Sequence, residues 1–382
     1  MDHMFPFGFP GPTAFYLTLY VVTFVLSQAL MHYVLAGSLY MAWAAIWLGK
    51  AGETRGQQPL AATLRDWMPF FLGAAITAGV APLLFIQIVY QRQFYTANLL
   101  LWWRWMLVIP VLIVAFYLLY LIKSSIMQQW PRFARTAVGI GTASCFVFVG
   151  FCWTANHLLG NNAVHWPEVY VTGQLPFDAW AVVPRMLIWM GGSFATMAVI
   201  VGWQLRYQER RQTGTVVCNS TRPLAALSLG GLGVAVTAAT VFIFQTDGPT
   251  RQMLFGNLAL PYVLLTVFGV GVQMSTWIVH WRSERLIDGW LTAASLGAAF
   301  SLLGVAVVRE VLRIRVVDFA SLFPQHAEAA AIGGFSVFLI SAVIVALLMA
   351  WCVRLVRHGI VQADISGRPA PKSGPLRANS KG

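Results

Sequence analysis

The chain has 382 residues, of which 58% are hydrophobic and only 10% charged, with a mean hydropathy of +0.69. A soluble domain of this length carries about 25% charged residues, so the composition excludes a water-soluble fold. The formal net charge of +12 would suggest nucleic acid in a soluble protein, but here the cations follow a membrane pattern, and we expect no nucleic-acid partner.

Nine long apolar stretches follow one another, and each is long enough for a helix to cross a bilayer, which takes roughly 20 residues. They lie near residues 14–48, 69–90, 97–122, 135–159, 183–205, 223–245, 252–281, 286–308 and 332–356. The stretches are too long for barrel strands, so lipid requires them to be helices. We predict an all-α polytopic protein with a single transmembrane domain over 1–358, arranged as two four-helix bundles plus one helix.

The positive charges alternate between the gaps that separate these stretches. Most of the 25 Lys/Arg fall in every second gap, beginning with Lys50, Arg55 and Arg65 and ending with the basic tail. By the positive-inside rule the N-terminus lies outside, and residues 359–382 form a disordered cytoplasmic tail. This topology suits a multi-pass protein of a bacterial inner membrane. None of the 13 Asp/Glu falls in the middle of a stretch, so we expect no buried carboxylate with which to move protons or cations across the bilayer.

A single histidine, His32, stands in the middle of the first stretch. Gln28, His32 and Ala36 share one helix face at spacings of four residues, and this stripe should face other helices rather than lipid. A neutral imidazole in hydrocarbon needs a partner, and the iron of a haem would be one. The alternative is a hydrogen bond to a facing serine, glutamine or backbone carbonyl.

Three further residues are candidates for cofactor binding. Met274 could be a second axial ligand or a packing residue, and His157 could belong to a haem or metal site or be a solvated histidine. Arg104, among three tryptophans, could neutralise a haem propionate or a quinone headgroup, or could reach the interface. The four cysteines form no CxxCH motif, so we expect no c-type haem.

The order of several motifs resembles subunit I of the cytochrome bd quinol oxidase superfamily over residues 14–206. A histidine follows a stretch rich in aromatic and hydroxyl residues in the first span, and a glycine-rich run ends in a Phe-Gln element in the second. A Trp, Ala-Asn, Trp, Pro series ends the fourth span. The matching residues are Tyr16, His32-Tyr33, Gly73, Gly79, Phe85, Gln87, Trp153, Ala155-Asn156, Trp166 and Pro167.

The chain also departs from that family. Span three has no carboxylate, the fifth span begins Pro184-Arg185-Met186 where the family has a haem-ligating histidine, and Thr246–Arg251 is a short turn in place of the quinol loop. Oxygen reduction is therefore not expected.

The resemblance implies an electron-transfer subunit with b-type haem and quinone as cofactors. His32 would be the first ligand, with Met274 or His157 opposite and Arg104 on a propionate. Electrons would pass between quinone and an outer-side cytochrome or iron–sulfur subunit, docked on outer loops 160–182 and 309–331. The alternatives are a haem-less membrane scaffold and a transporter of a neutral solute.

Overall fold

A computed structural model of the chain describes residues 4–47, 58–211, 220–314 and 316–332, and eight scattered residues from 336 to 354. The regular secondary structure of these residues is helical throughout. The α-helices are α1 (Gly11–Trp47), α2 (Gln58–Val89), α3 (Gln91–Leu101), α4 (Trp103–Met106), α5 (Val108–Lys123), α6 (Ser125–Gln129), α7 (Arg132–Gly160), α8 (Trp166–Thr172), α9 (Ala179–Arg211), α10 (Thr221–Gln245), α11 (Gly248–Leu254), α12 (Leu260–Ser283), α13 (Asp288–Ile314) and α14 (Phe323–Ala331).

Eight segments among the described residues are long and apolar enough to span a membrane. They are α1, α2, α4 with α5, α7, α9, α10, α12 and α13. The prediction of an all-α, multi-pass membrane protein is therefore confirmed for this part of the chain. The predicted ninth span (332–356) lies mostly, and the predicted tail (359–382) wholly, outside the described residues.

The third span differs from its prediction as one helix over 97–122. The backbone of Trp102, with φ 44° and ψ −117°, ends α3, and its N–H bonds to the carbonyls of Asn98 and Leu99. A short turn, α4, follows before α5 begins at Val108. Pro110 lies in the first turn of α5, where a missing N–H costs no helical hydrogen bond. The break was invisible to hydropathy because apolar residues continue through it.

The eight spans pack in two groups of four. The first group holds α1, α2, α5 and α7, and the second holds α9, α10, α12 and α13. Helix α1 also packs against α9 and α13, so it joins the two groups. All of these helices belong to one compact unit, Met1–Phe323, whereas Pro324–Gly382 forms a second unit that includes most of α14.

Aromatic residues fix the face of the bundle at which α1 begins, which we call the N-terminal face. The Phe5 N–H donates to the Tyr262 hydroxyl at 3.0 Å, and Phe9 stacks on Phe319 with ring centroids 4.8 Å apart. These contacts tie the first residues to the start of α12 and to the segment after α13. Helix α13 reaches this face and continues to Ile314, so the predicted loop 309–331 is wrong in its first six residues.

Glycines allow the helices of the second group to pack with their backbones in contact. A Cβ on Gly191 of α9 would lie 2.5 Å from the Gly231 carbonyl of α10, and a Cβ on Gly269 of α12 would lie 2.5 Å from the Gly297 carbonyl of α13. Small residues at such seams replace the hydrophobic driving force that is missing between helices in lipid.

The contact between α9 and α10 gives a matched test, because Gly191 lies against the backbone of α10 whereas its neighbour Gly192 faces open space. A Cβ on Gly192 would meet nothing within 4 Å. We expect Gly191→Ala to destabilise the purified protein by about 1–3 kcal/mol, the usual cost of overpacking, and to lower its melting temperature in detergent. Gly192→Ala should leave the melting temperature unchanged. Equal melting temperatures for the two variants would contradict the close approach.

Candidate functional site

His32 is buried at the point where α1 meets α9, with 3% of its surface exposed. Its Nδ1 lies 3.1 Å from the Thr196 hydroxyl oxygen, and the same hydroxyl lies 3.3 Å from the Gly192 carbonyl one turn earlier. A threonine hydroxyl has a single proton to donate. When that proton goes to the carbonyl, the hydroxyl accepts from Nδ1–H, and Nε2 carries the imidazole lone pair.

The Nε2 atom of His32 is buried and has no hydrogen-bond partner among the described residues. A buried polar atom without a partner is costly in an apolar interior, so Nε2 needs a bound ligand, ion or water to satisfy it. Histidines that bind metals usually donate their other ring N–H to a neighbouring oxygen. The contact between His32 and Thr196 has that form.

His32 and Gln28 line a cavity of about 320 Å³ enclosed by α1, α2, α5, α7 and α9. The walls are mainly apolar, and this size and character are typical of a small-molecule site. Helix α9 contributes Met186 and Met190, one turn apart on one face, together with Trp189, whose ring lies edge-on to His32 at 5.7 Å between centroids. Two methionines and one histidine therefore line the same mainly apolar cavity.

Part of the cavity wall lies on the outer surface of the bundle. Ile76 and Val80 of α2 and Ile109 of α5 line the cavity, and they are 41%, 50% and 69% exposed, respectively. In a membrane these side chains contact lipid. A hydrophobic molecule could therefore reach His32 from the bilayer, between α2 and α5.

A second polar group lies near the N-terminal face and was not predicted. The carboxylate of Glu310 is 1% exposed, accepts a hydrogen bond from the Tyr90 hydroxyl, and lies 3.5 Å from Nη1 of Arg313. Glu310 is therefore a buried carboxylate, close to one face of the bundle, that the sequence analysis did not identify. Hydropathy falls at Arg309 and Glu310, which suggested a loop, but α13 continues through both residues. On a helix, residues three positions apart are neighbours, so Glu310 and Arg313 can offset each other's charge.

Arg313 links this carboxylate to α7. Its Nη2 lies 2.7 Å from Nδ1 of His157, and its guanidinium lies 4.2 Å above the centre of the Tyr90 ring. Burial, and then the negative charge of Glu310, raise the pKa of the Tyr90 phenol well above its usual range. Tyr90 therefore stays protonated and keeps donating to Glu310. We call Tyr90, His157, Glu310 and Arg313 the Glu310 network.

The structure does not bring the other predicted cofactor residues to His32. Both nitrogens of His157 are engaged, Nδ1 by Arg313 and Nε2 by Asn161 at 3.3 Å. The Arg104 guanidinium lies 4.9 Å from the centre of the Trp103 ring, and Met274 is 36% exposed on α12. None of the three lines the His32 cavity. Of the five candidates, only His32 and Gln28 share a site.

Thr196 and Glu310 escaped sequence reasoning for different reasons. Thr196 is one hydroxyl among many in the spans, and only the packing of α9 on α1 selects it. The spacing of Glu310 and Arg313, one helical turn apart, was the available signal for the second group. No cluster of three or more His, Cys, Asp or Glu side chains in the described ranges could hold a metal ion.

Comparison with known proteins adds no assignment. No family model matches the chain, and no curated protein or solved structure matches it.

The Glu310 network predicts that breaking a buried ion pair costs much more stability than breaking an exposed one. We expect Glu310→Gln to destabilise the protein by about 3–5 kcal/mol, because it leaves the Arg313 charge buried without its carboxylate. The control is Glu284→Gln, which breaks the pair of Arg222 with Glu284, whose side chains are 57% and 55% exposed. Such a pair contributes about 0–1 kcal/mol.

Denaturant unfolding of the full-length protein in detergent measures both losses. The double variant Glu310→Gln/Arg313→Gln should lose less stability than the two single variants added together, because it removes both charges. A loss for Glu310→Gln as small as that for Glu284→Gln would show that the carboxylate is not buried against Arg313.

Proposed function

We propose that this chain is an integral membrane subunit of a respiratory or other electron-transfer complex, and that it binds b-type haem at His32. The observation that carries the proposal is the buried Nε2 of His32, which has no partner in the described part of the protein and belongs to a residue lining an apolar cavity. The proposal retains the resemblance to cytochrome bd subunit I but changes the ligand set.

The residues present fit such a cofactor. Thr196 contacts the imidazole at Nδ1, and when Nδ1 carries the proton, Nε2 offers the lone pair that iron requires. Met186 and Met190 line the same cavity, and either could supply an axial sulfur, in place of Met274 or His157. A bound haem would supply one-electron transfer. The protein's own contribution is to orient the imidazole, exclude water and surround the site with apolar side chains.

The orientation follows from the positive-inside rule. With nine spans, the arginine-rich connections lie in the cytoplasm and the N-terminal face lies outside, in a bacterial inner membrane. On that face the connection between α7 and α9 exposes Val164, Tyr170 and Val171 to 86%, 84% and 83%. Apolar side chains this exposed suit contact with another membrane or periplasmic subunit, such as a cytochrome or iron–sulfur protein.

A second candidate ligand for the same cavity is a quinone. The lipid-facing residues of its wall favour a hydrophobic molecule that arrives through the bilayer, and His32 and Gln28 could bond to a quinone oxygen. This reading makes the chain a quinone-binding subunit without haem at His32. A scaffold without haem is the third outcome, and a visible spectrum separates the haem protein from both.

The full-length protein purified from membranes should show the α band of b-type haem in a reduced-minus-oxidised spectrum. His32→Ala should abolish that band, because no other described histidine lines the cavity. The control is His165→Ala, since His165 is exposed and pairs with Glu168; this variant should retain the band.

Two outcomes would count against haem at His32. A band that survives in His32→Ala places any haem elsewhere. Purified wild-type protein without haem, but with quinone in its lipid extract that is lost in His32→Ala, would favour the quinone reading. Purified wild-type protein that contains neither haem nor quinone would favour the scaffold.

A further inference from the structure

A second cavity, of about 250 Å³, lies between α7, α9, α10, α12 and α13 on the side of the N-terminal face. Two arginines line it, Arg185 from α9 and Arg309 from α13, together with His157 of the Glu310 network. The other walls are mostly apolar. We call it the arginine cavity.

The two arginines are held in place without a carboxylate. The Arg185 guanidinium donates to the Ala181 carbonyl and lies 4.7 Å from the centre of the Phe242 ring. That of Arg309 donates to the Tyr20 hydroxyl at 3.2 Å and lies 4.9 Å from the centre of the Phe24 ring. Within the described ranges, neither forms an ion pair. Carbonyls, hydroxyls and aromatic rings orient a guanidinium group but do not neutralise its positive charge.

The charge balance of this region is therefore positive. His157 contacts Arg313 and shares the arginine cavity with Arg185 and Arg309, so three guanidinium groups gather around one histidine. Glu310 is the one buried carboxylate among the described residues, and it pairs with Arg313. Cations left without a counter-ion inside a membrane protein are costly. An anion is the natural complement.

The shape of the guanidinium group indicates which anion. Its planar set of N–H donors matches the paired oxygens of a phosphate or a carboxylate. A further donor is close by, since Trp153 lines the cavity and its buried indole N–H has no acceptor in the described structure.

The remaining walls indicate that this anion carries a hydrocarbon chain. Ile188, Ile243 and Val263 line the interior of the cavity, and Phe255 and Val267, which also line it, are 51% and 62% exposed on the surface of the helices. The arginine cavity is therefore open to the bilayer. A small hydrated anion would gain nothing from these walls, whereas a lipid-like chain would bury apolar surface against them.

We propose that the arginine cavity binds an amphipathic anion, with a phosphate or carboxylate group between Arg185 and Arg309 and a hydrocarbon chain along the apolar walls. A phospholipid headgroup and a free fatty acid share this chemistry. The site does not depend on haem at His32, although Trp153, Thr154 and Trp189 line both cavities.

Native mass spectrometry of the full-length, delipidated protein in detergent tests the proposal with three probes: phosphatidylglycerol, oleate and inorganic phosphate. The test variant is Arg185→Gln/Arg309→Gln. The control variant, Arg92→Gln/Arg251→Gln, removes the same charge from two exposed arginines on the same face. We expect phosphatidylglycerol or oleate to bind the wild type and the control variant with the same affinity. The test variant should bind the same probe at least tenfold more weakly.

The probe that binds identifies the source of the anion. Equal affinity of every probe for the wild type and the test variant would overturn the proposal, as would inorganic phosphate binding as tightly as the acyl probes. The visible spectrum of the same samples is the second readout. Loss of a b-type α band in the test variant, without loss of lipid or oleate binding, would assign the arginines to haem carboxylates instead. A wild-type protein without haem would contradict the haem proposal, but the binding of the acyl probes could still be compared between the variants.

Discussion

The hydrogen bond between His32 and Thr196 is the interaction on which the functional account depends. It joins α1 of the first four-helix group to α9 of the second, and α9 also brings the two methionines and Trp189 to the His32 cavity. When the Thr196 hydroxyl gives its proton to the Gly192 carbonyl, the bond also selects the tautomer of the imidazole. One contact therefore joins the two helices and orients the ring, and in that tautomer Nε2 carries the lone pair.

Charge in a low-dielectric interior is the second constraint. Glu310 is stable there because Tyr90 and Arg313 both contact it, and Arg313 in turn contacts His157. This network uses the one buried carboxylate among the described residues, so Arg185 and Arg309 remain without a counter-ion of their own. The apolar His32 cavity and the cationic arginine cavity thus lie side by side, with different chemistry on either side of Trp153 and Trp189.

The sequence predicts those features that depend on local composition. The spans follow from runs of apolar residues that only helices can carry through lipid, and the His32 face follows from helical spacing. Features that depend on tertiary packing were missed. Hydropathy cannot show that Trp102 breaks the third span, because the residues on both sides of the break are apolar.

The same limit explains the errors in the candidate site. Glu310 resembled a loop residue because a charge normally ends an apolar run. Only its contacts with Tyr90, which follows α2, and with Arg313 of α13 show that it is buried. Met274 and His157 had suitable chemistry for a haem ligand, but one lies at the surface of α12 and the other is bonded to Arg313. Residue type selects candidates, whereas the helix packing decides which of them meet.

A cryo-electron microscopy map of the full-length protein purified in lipid nanodiscs tests the central claim most directly. The account predicts continuous non-protein density in the cavity between α1, α2, α5, α7 and α9. This density should reach bonding distance of Nε2 of His32, with Nδ1 on Thr196. A cavity closed by repacked side chains, or a His32 whose Nε2 is bonded to another protein group, would contradict it.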